Sequence, residues 1–272
     1  MEIEISDFSL DRTLNAGQTF AWKKESGWWK SFINHPLKVR QKEEKKLEFF
    51  GSSTEEVRKL LGLNDDLNSI KAELDKDDFL DKAIEYSDGI RVVQDGLWPA
   101  TLGFILSIQS NIPLILRRIS SLSAVYGQES NFDGEEMRGF PDYRIMFQNG
   151  LEKLKEFKLG FRTKFVFSAA EYFYNHELSE ALDLGDLKMH LLNIKGVGEK
   201  VLDCVLLYGL HDLSAFPMDV WMMRVLSKHY SNLIEKAKSY KAKRRIMVDY
   251  FGRYAGYAQL YMYNYSRLNK IK

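Results

Sequence analysis

The stretch Leu191-Leu-Asn-Ile-Lys-Gly-Val-Gly-Glu-Lys200 decides the fold of this chain. Residues 186–192 have the pattern of a short helix. The glycines on either side of Val197 end it, because glycine adopts positive φ angles at no steric cost. Apolar residues recur at helical spacing from 199 to 210, which predicts a second helix. Two helices joined by so tight a turn form a helix-hairpin-helix motif.

The turn of this motif is a candidate binding site for a DNA phosphate. The backbone amides of Gly196, Val197 and Gly198 stand at the start of the second helix. Amides at a helix N-terminus point outward and can hold an anion. We therefore predict that this turn contacts the DNA backbone.

Lys200 follows the turn, and Asp219 lies in the segment Phe216-Pro-Met-Asp-Val220. The helix dipole disfavours an ammonium in the first turn of a helix, and a neutral lysine amine can act as a nucleophile. A carboxylate from another segment could stabilise the positive charge that develops on the attacked carbon. A surface lysine and a helix-capping aspartate are the alternative, and spacing alone leaves both interpretations open.

The composition limits the class of protein. The chain has 272 residues, of which 45% are hydrophobic and 13% aromatic, enough to fill one large or two modest domains. Its only cysteine, Cys204, excludes an intramolecular disulfide and any metal site that needs four cysteines. The acidic N-terminus has no apolar run of signal length, and no stretch approaches about 18 uninterrupted apolar residues. We expect a soluble, intracellular protein of the cytoplasm or nucleoid that does not contact a membrane.

The net charge of +1 hides an uneven distribution. Residues 1–150 hold 19 Lys or Arg and 25 Asp or Glu, a net charge of −6, whereas residues 151–272 hold 20 and 13, a net charge of +7. This polarity is expected if one half of the chain faces a polyanion. The densest basic run, Lys236–Arg245, has six cations in ten residues. It is either a solvated helix face or a DNA contact.

The first 50 residues differ from the rest of the chain. Short segments rich in aromatic and β-branched residues alternate there with turn residues, and they are Gln18–Trp22, Trp28–Ile33, Leu37–Arg40 and Lys46–Phe50. This pattern predicts an antiparallel sheet of four or five strands. From Thr54 onward the pattern is helical, which makes the fold class α+β.

The helical part is long and regular. We predict helices at about residues 97–109, 111–126, 141–148, 150–158, 161–176, 186–192, 199–210, 219–230, 240–251 and 254–268, and a loop at 127–139. We therefore expect a β-rich N-terminal domain with early helices at residues 1–85 and a helical body at residues 86–272. The body contains the hairpin, at about 186–210, and the loop with Asp219.

With the hairpin and Asp219 identified, the chain resembles the helix-hairpin-helix DNA glycosylases, and among them the 8-oxoguanine DNA glycosylases. The matching segments follow the family's order over nearly the whole chain, and they are Asn15–Trp22, Phe104–Asn111, Leu159–Arg162, the hairpin with Lys200, Val201–Cys204, Phe216–Val220 and Tyr254–Gln259. The resemblance implies a small antiparallel β-rich domain before a mostly helical glycosylase body in two subdomains.

The resemblance also implies a bifunctional DNA N-glycosylase and apurinic-apyrimidinic lyase of base-excision repair. Such an enzyme must flip the damaged base out, since a base inside a duplex cannot be reached. Lys200 would attack the sugar C1′ and displace 8-oxoguanine, Asp219 would stabilise the charge on the sugar, and β-elimination would nick the strand. The implied partner is double-stranded DNA that contains oxidised guanine, bound by a monomer.

The resemblance assigns four residues to the pocket of the flipped base. The carbonyl of Gly17 would accept the hydrogen on N7, which only the oxidised base carries. Cys204 would lie against one face of the base, and Tyr263 stands where the family usually has a Phe against the other. Gln259 would hydrogen-bond the Watson–Crick edge. Without the resemblance, these residues would be interpreted as a turn glycine, two core residues and a solvated amide.

Three further residues correspond to contacts with the rest of the duplex. Phe161 matches an aromatic wedge, Arg162 an arginine that reads the orphaned cytosine, and Gln109 an asparagine that fills the gap left by the flipped base. Two positions depart from the family: its second cytosine-contacting Arg falls at Leu114, and its often phosphate-binding His falls at Trp221. Both departures weaken the expectation of strict specificity for a lesion opposite cytosine.

This chemistry requires neither a metal ion nor an organic cofactor, although the hairpin could hold a structural monovalent cation. Two alternatives stay open. One is a glycosylase for alkylated purines or other damaged bases on the same scaffold. Lys200 argues against it, because such enzymes typically lack the lysine. The other is a non-catalytic helix-hairpin-helix DNA-binding protein, which would not need Lys200 and Asp219 at these positions.

Overall fold

A computed structural model describes residues 1–176 and 178–269 of the chain. It has an α+β fold, in which a small antiparallel sheet precedes a helical body. The strands of the sheet are β1 (Glu2–Glu4), β2 (Trp22–Glu25), β3 (Trp28–Phe32), β4 (Pro36–Glu43) and β5 (Lys46–Phe50). Their order is β1-β5-β4-β3-β2, and every neighbouring pair is antiparallel. The predicted sheet is confirmed.

The helices fill most of the remaining chain. They are α1 (Leu10–Leu14), α2 (Thr54–Leu60), α3 (Leu67–Glu73), α4 (Asp78–Tyr86), α5 (Leu97–Ser107), α6 (Ile112–Tyr126), α7 (Tyr143–Lys155), α8 (Arg162–His176), α9 (Leu184–Asn193), α10 (Glu199–Leu210), α11 (Val220–His229), α12 (Ser231–Ile234), α13 (Tyr240–Phe251) and α14 (Ala255–Leu268). α7 is interrupted at Gly150, whose φ is 79°, between the two helices that the sequence predicts there. No helix within the described ranges is long and apolar enough to cross a membrane.

The segment Gln18–Trp22 was predicted as a strand, and this prediction is wrong for all but its last residue. The side chain of Gln18 is buried and bonds to the backbone: its Nε2 donates to the carbonyls of Thr13 and Arg91, and its Oε1 accepts from the amide of Val93. These contacts draw the segment into the interior, and β2 begins only at Trp22.

The predicted loop at 127–139 contains a β-hairpin instead. Its strands are β6 (Glu129–Phe132) and β7 (Glu135–Arg138). Two ion pairs, Lys30 with Glu135 and Lys38 with Asp133, join the hairpin to the N-terminal sheet. A four-residue strand carries little signal in its own sequence, and here it depends on cross-strand pairs and on contacts with the sheet.

Two clusters of buried side chains form the core. The smaller cluster packs against the sheet and includes Ile3, Val39, Phe49 and Val57. The larger cluster fills the helical body and also contains side chains of α3 and α4. The domain boundary between residues 85 and 86 stays a prediction.

The packing of α5 against α10 positions the candidate site. A Cβ at Gly209, near the end of α10, would lie 2.9 Å from the Cβ of Ala100, near the start of α5. The missing side chain therefore lets these two helices approach closely. At the opposite end, Lys200 in the first turn of α10 reaches Ser107 in the last turn of α5. The helices thus run antiparallel.

Candidate active site

Lys200 is half-buried in the first turn of α10. Its Nζ donates a hydrogen bond of 3.3 Å to Ser107 Oγ and lies 5.2 Å from the ring centroid of Phe104. Ser107 in turn donates to the carbonyl of Phe104 at 2.7 Å, so its oxygen can accept from the lysine. Ser107 was not among the predicted site residues, because its contact with Lys200 depends on how α5 and α10 pack.

Asp219 caps the N-terminus of α11. Its Oδ1 accepts a hydrogen bond of 2.8 Å from the amide of Met222, and its backbone is extended. The side chain is half-buried, at the end of a segment in which Phe216 and Met218 are fully packed. The helix dipole stabilises a negative charge at this position. Asp219 is therefore a helix cap, as the alternative interpretation requires, and its carboxylate also remains available for the predicted catalytic role.

The charges of both Lys200 and Asp219 act on Cys204. It is buried on α10, one turn after Lys200. Burial raises the pKa of its thiol to about 12, the ammonium of Lys200 lowers this pKa, and the carboxylates of Asp203 and Asp219 raise it. Both predicted catalytic charges therefore act on this one buried thiol.

Tyr263 and Gly17 belong to the same site. Burial raises the pKa of Tyr263 to about 12, and the carboxylate of Asp219 contributes to the increase. Gly17 has a φ of +84°, and a Cβ there would lie 3.7 Å from the Tyr263 ring. Arg267, which was not among the predicted site residues, supports this arrangement. It donates to the carbonyl of Asn15 at 3.0 Å, and its guanidinium lies 5.7 Å from the centroid of the Tyr263 ring.

Gln259 is only 4% exposed, so the interpretation as a solvated amide is wrong. Its Oε1 accepts a hydrogen bond of 2.9 Å from the hydroxyl of Tyr208. Tyr208 stacks on Phe104, with ring centroids 5.5 Å apart, and Phe104 is the ring that lies near Lys200. The bond from Tyr208 fixes the orientation of the amide and directs its donor nitrogen away from this contact.

Arg162 is the first residue of α8 and is 5% exposed. Its guanidinium donates to the carbonyls of Ile108, at 2.7 Å from Nε, and Gln109, at 2.8 Å from Nη2. Burial and the neighbouring Arg118 lower the pKa of Arg162. The arginine expected to read the opposite strand therefore holds the turn between α5 and α6. In that turn Gln109 is exposed and has a φ of +48°.

Phe161, directly before α8, is 47% exposed, as an apolar wedge requires. Leu114 is half-buried in the first turn of α6. Trp221 is half-buried in the first turn of α11, with the guanidinium of Arg224 at 5.3 Å from its ring centroid. Leu114 offers no polar group to the opposite strand, and Trp221 offers only its indole N–H.

The hairpin turn has the predicted conformation. Gly196 has a φ of +96°, and a Cβ there would lie 2.5 Å from the ring of Phe165, so the turn requires glycine. The amide of Val197 donates to the carbonyl of Ile194 at 3.0 Å and is used within the turn. Gly198 is exposed and caps α10. Among the described residues, the amides of Gly196 and Gly198 have no such partner and can serve an anion.

The cations of the basic run Lys236–Arg245 do not all face solvent. Arg244 points inward, and its Nε lies 2.7 Å from each carboxylate oxygen of the buried Asp203. The other cations of the run are exposed, apart from the half-buried Lys243. The run as a whole is therefore neither a solvated helix face nor a DNA contact, because Arg244 forms an ion pair with a buried carboxylate.

The predicted residues form two groups in space. The first group comprises Gly17, Lys200, Cys204, Asp219, Gln259 and Tyr263. The second comprises Gln109, Phe161 and Arg162, and it meets the first at the end of α5, where Ser107 and Ile108 are adjacent. Within residues 1–176 and 178–269, no three His, Cys, Asp or Glu side chains are arranged to hold a metal ion.

The chain is similar to known N-glycosylase/DNA lyases. The family model described as 8-oxoguanine DNA glycosylase, N-terminal domain, matches residues 1–100. The probable N-glycosylase/DNA lyase of Methanothermobacter thermautotrophicus is 24% identical, and the alignment covers 98% of this chain and 96% of that protein. The N-glycosylase/DNA lyase of Saccharomyces cerevisiae is 26% identical, over 95% of this chain and 83% of that protein.

A solved structure is similar over its whole length. It is the Clostridium acetobutylicum 8-oxoguanine glycosylase/lyase in complex with double-stranded DNA that contains cytosine opposite 8-oxoguanine. The two chains are 27% identical and superpose with a TM-score of 0.87, which covers 100% of this chain and 99% of the other. The similarity therefore includes the N-terminal sheet as well as the helical body.

Proposed function

Since this chain belongs to the 8-oxoguanine DNA glycosylase family, we propose that it flips 8-oxoguanine out of duplex DNA, removes the base and then nicks the strand. The observation that carries the proposal is the position of Lys200 in the first turn of α10, with Cys204 and Asp219 close by. An amine and a carboxylate that face one pocket of aromatic and amide groups suit nucleophilic attack on a sugar.

Lys200 supplies the nucleophile in this mechanism. Its neutral amine attacks C1′ of the flipped nucleotide, so that a bond from Nζ to C1′ forms as the bond from C1′ to the base breaks. Asp219 stabilises the positive charge that develops on the sugar and helps to orient or deprotonate the lysine. The amine and the opened sugar form an imine. Loss of a proton from C2′ and departure of the 3′ phosphate then complete the β-elimination.

The pocket accounts for recognition of the oxidised base. The carbonyl of Gly17 accepts the hydrogen on N7, a hydrogen that guanine lacks, and guanine would leave this acceptor unpaired. Cys204 and Tyr263 cover the two faces of the base. The amide of Gln259, oriented by Tyr208, bonds to the Watson–Crick edge.

The duplex is held outside the pocket. The amides of Gly196 and Gly198 bind a phosphate, and Phe161 enters the stack beside the vacated position, which Gln109 fills. A monovalent cation at the hairpin stays a prediction. Backbone carbonyls of the turn would be its ligands, and no proposed step passes through it. The reaction needs neither a catalytic metal nor an organic cofactor, because Lys200 and Asp219 supply the nucleophile and the charge.

Covalent trapping with borohydride tests the proposed function. Borohydride reduces an imine to a stable amine, so the protein should become attached to a duplex that carries 8-oxoguanine, and an undamaged duplex should give no adduct. The adduct is measured as a shifted band on a denaturing gel, over a panel that also contains alkylated purines.

Three other outcomes would each contradict this expectation in a different way. Release of 8-oxoguanine without an adduct would refute the lyase step. Release of alkylated purines alone would favour the alkylpurine glycosylase. Binding of every duplex without release of any base would identify a non-catalytic DNA-binding protein.

We predict weak discrimination of the base opposite the lesion. Arg162 is occupied by the carbonyls of Ile108 and Gln109, and Leu114 is apolar, so little remains to read cytosine. A good bidentate contact is worth about 1–3 kcal/mol of discrimination, and without one the excision rates opposite C, A, G and T should agree within about tenfold. Single-turnover kinetics on four duplexes measures this.

Leu114→Arg should restore a preference for cytosine of about tenfold, by adding one planar set of donors. Leu116→Arg, at an exposed position on the same helix, is the matched control. It adds the same charge and should raise affinity for DNA without changing base preference. A strong preference for cytosine in the wild type would show that Arg162 alone is sufficient.

A further inference from the structure

Tyr240 bridges the two segments that carry the proposed reaction centre. Its hydroxyl donates a hydrogen bond of 3.0 Å to Asp203 Oδ2 and accepts one of 3.0 Å from the amide of Met218. Asp203 lies on α10, three residues after Lys200, and Met218 directly precedes Asp219. One hydroxyl group thus connects the helix of the nucleophile with the segment of the carboxylate.

The segment before Asp219 depends on this hydrogen bond. Pro217 has no N–H to donate, and Phe216 and Met218 are held by burial of their side chains, which are 0% and 3% exposed. Apolar packing has little directional preference, whereas an unpaired buried amide is costly. The hydroxyl of Tyr240 therefore determines where this segment lies relative to α10.

The other end of the bridge is also fixed. Asp203 is 1% exposed, and both of its oxygens accept from Arg244 Nε at 2.7 Å. Arg244 lies one turn after Tyr240 on α13, so a single helix contacts Asp203 at two points. Because Arg244 holds this carboxylate in place, the hydrogen bond from Tyr240 to Asp203 fixes the position of the Tyr240 hydroxyl relative to α10.

We propose that Tyr240, together with Asp203, is a positioning residue that sets the separation between the Lys200 amine and the Asp219 carboxylate. The inference rests on the proposed function, since it takes these two groups as the reaction centre. Tyr240 acts through the backbone of Met218 and does not touch the substrate. Reaction rates depend steeply on such placement, and an error of about 1 Å can cost about 100-fold.

Tyr240→Phe tests the inference, because it keeps the ring and removes only the hydroxyl. We expect the single-turnover rate constant for 8-oxoguanine release to fall about tenfold. Affinity for a duplex with an uncleavable abasic analogue should not change. At saturating enzyme concentration the single-turnover rate constant does not depend on the fraction of protein that is folded, so loss of stability cannot imitate this result. Tyr250→Phe is the control on the same helix. Its hydroxyl donates to Asp77 at 3.3 Å, and its loss should leave the rate constant unchanged.

A double-mutant cycle with Asp219→Asn separates positioning from general stabilisation. In that background Tyr240→Phe should have no further effect on the rate, because the carboxylate that it places is absent. An equal loss in both backgrounds, or an unchanged rate for Tyr240→Phe alone, would overturn the inference and leave the proposed function intact. Failure of the wild type to release 8-oxoguanine would overturn the proposed function instead.

Discussion

Lys200→Gln is expected to abolish the borohydride adduct and to lower the rate of 8-oxoguanine release by about 10⁴-fold or more. Glutamine has no nucleophilic amine, so neither the bond to C1′ nor the imine can form. Its amide can still donate to Ser107, which should keep the first turn of α10 intact. Binding of a lesion-containing duplex, measured by gel shift, should therefore survive.

Lys195→Gln is the matched control for this variant. Lys195 is exposed in the same hairpin, five residues before Lys200, and its replacement removes the same charge. The adduct and the rate should be retained, with a loss of DNA affinity that depends on salt concentration. Base release by Lys200→Gln at an appreciable rate would mean that water, directed by Asp219, displaces the base.

Asp219→Asn should lower the rate of base release by about 10²- to 10³-fold, because the charge that stabilises the sugar cation is lost. Asparagine caps a helix as well as aspartate does, so its Oδ1 can keep the hydrogen bond from Met222. The melting temperature should consequently change little. Single-turnover kinetics and a thermal melt on the same preparation separate the two effects.

Two further variants complete this comparison. Asp219→Ala removes the cap together with the charge and should also lower the free energy of unfolding by about 1 kcal/mol. Asp142→Asn alters an equivalent aspartate cap, that of α7, away from the site and should affect neither quantity. Base release by Asp219→Asn at the wild-type rate would reduce Asp219 to a helix cap.

Much of the fold could be predicted because its signals are local. Gly198 and Asp219 mark the starts of α10 and α11 in the sequence, and they cap those helices in the structure. The hairpin at residues 129–138 and the buried course of Gln18 could not be predicted in this way. Both depend on partners far along the chain, namely Lys30 and Lys38 for the hairpin and Arg91 for Gln18.

The candidate site shows the same division between local and distant signals. Lys200 and Cys204 are one turn apart on a recognisable helix, so the sequence places them together. Ser107 and Arg267 carry no motif of their own, and only the packing of distant helices brings them to Lys200 and to Tyr263. Local sequence likewise could not predict that the Arg162 guanidinium lies in the interior, against the turn after α5.

The thiol of Cys204 is protected from chemical damage. Peroxides and alkylating agents react with thiolates, and burial raises the pKa of the Cys204 thiol to about 12, which disfavours the thiolate at neutral pH. Because the chain has no second cysteine, no disulfide can form within it. Hydrogen peroxide should therefore attack this buried thiol only slowly. The wall of the pocket that Cys204 forms would then persist at peroxide concentrations that oxidise exposed cysteines of low pKa.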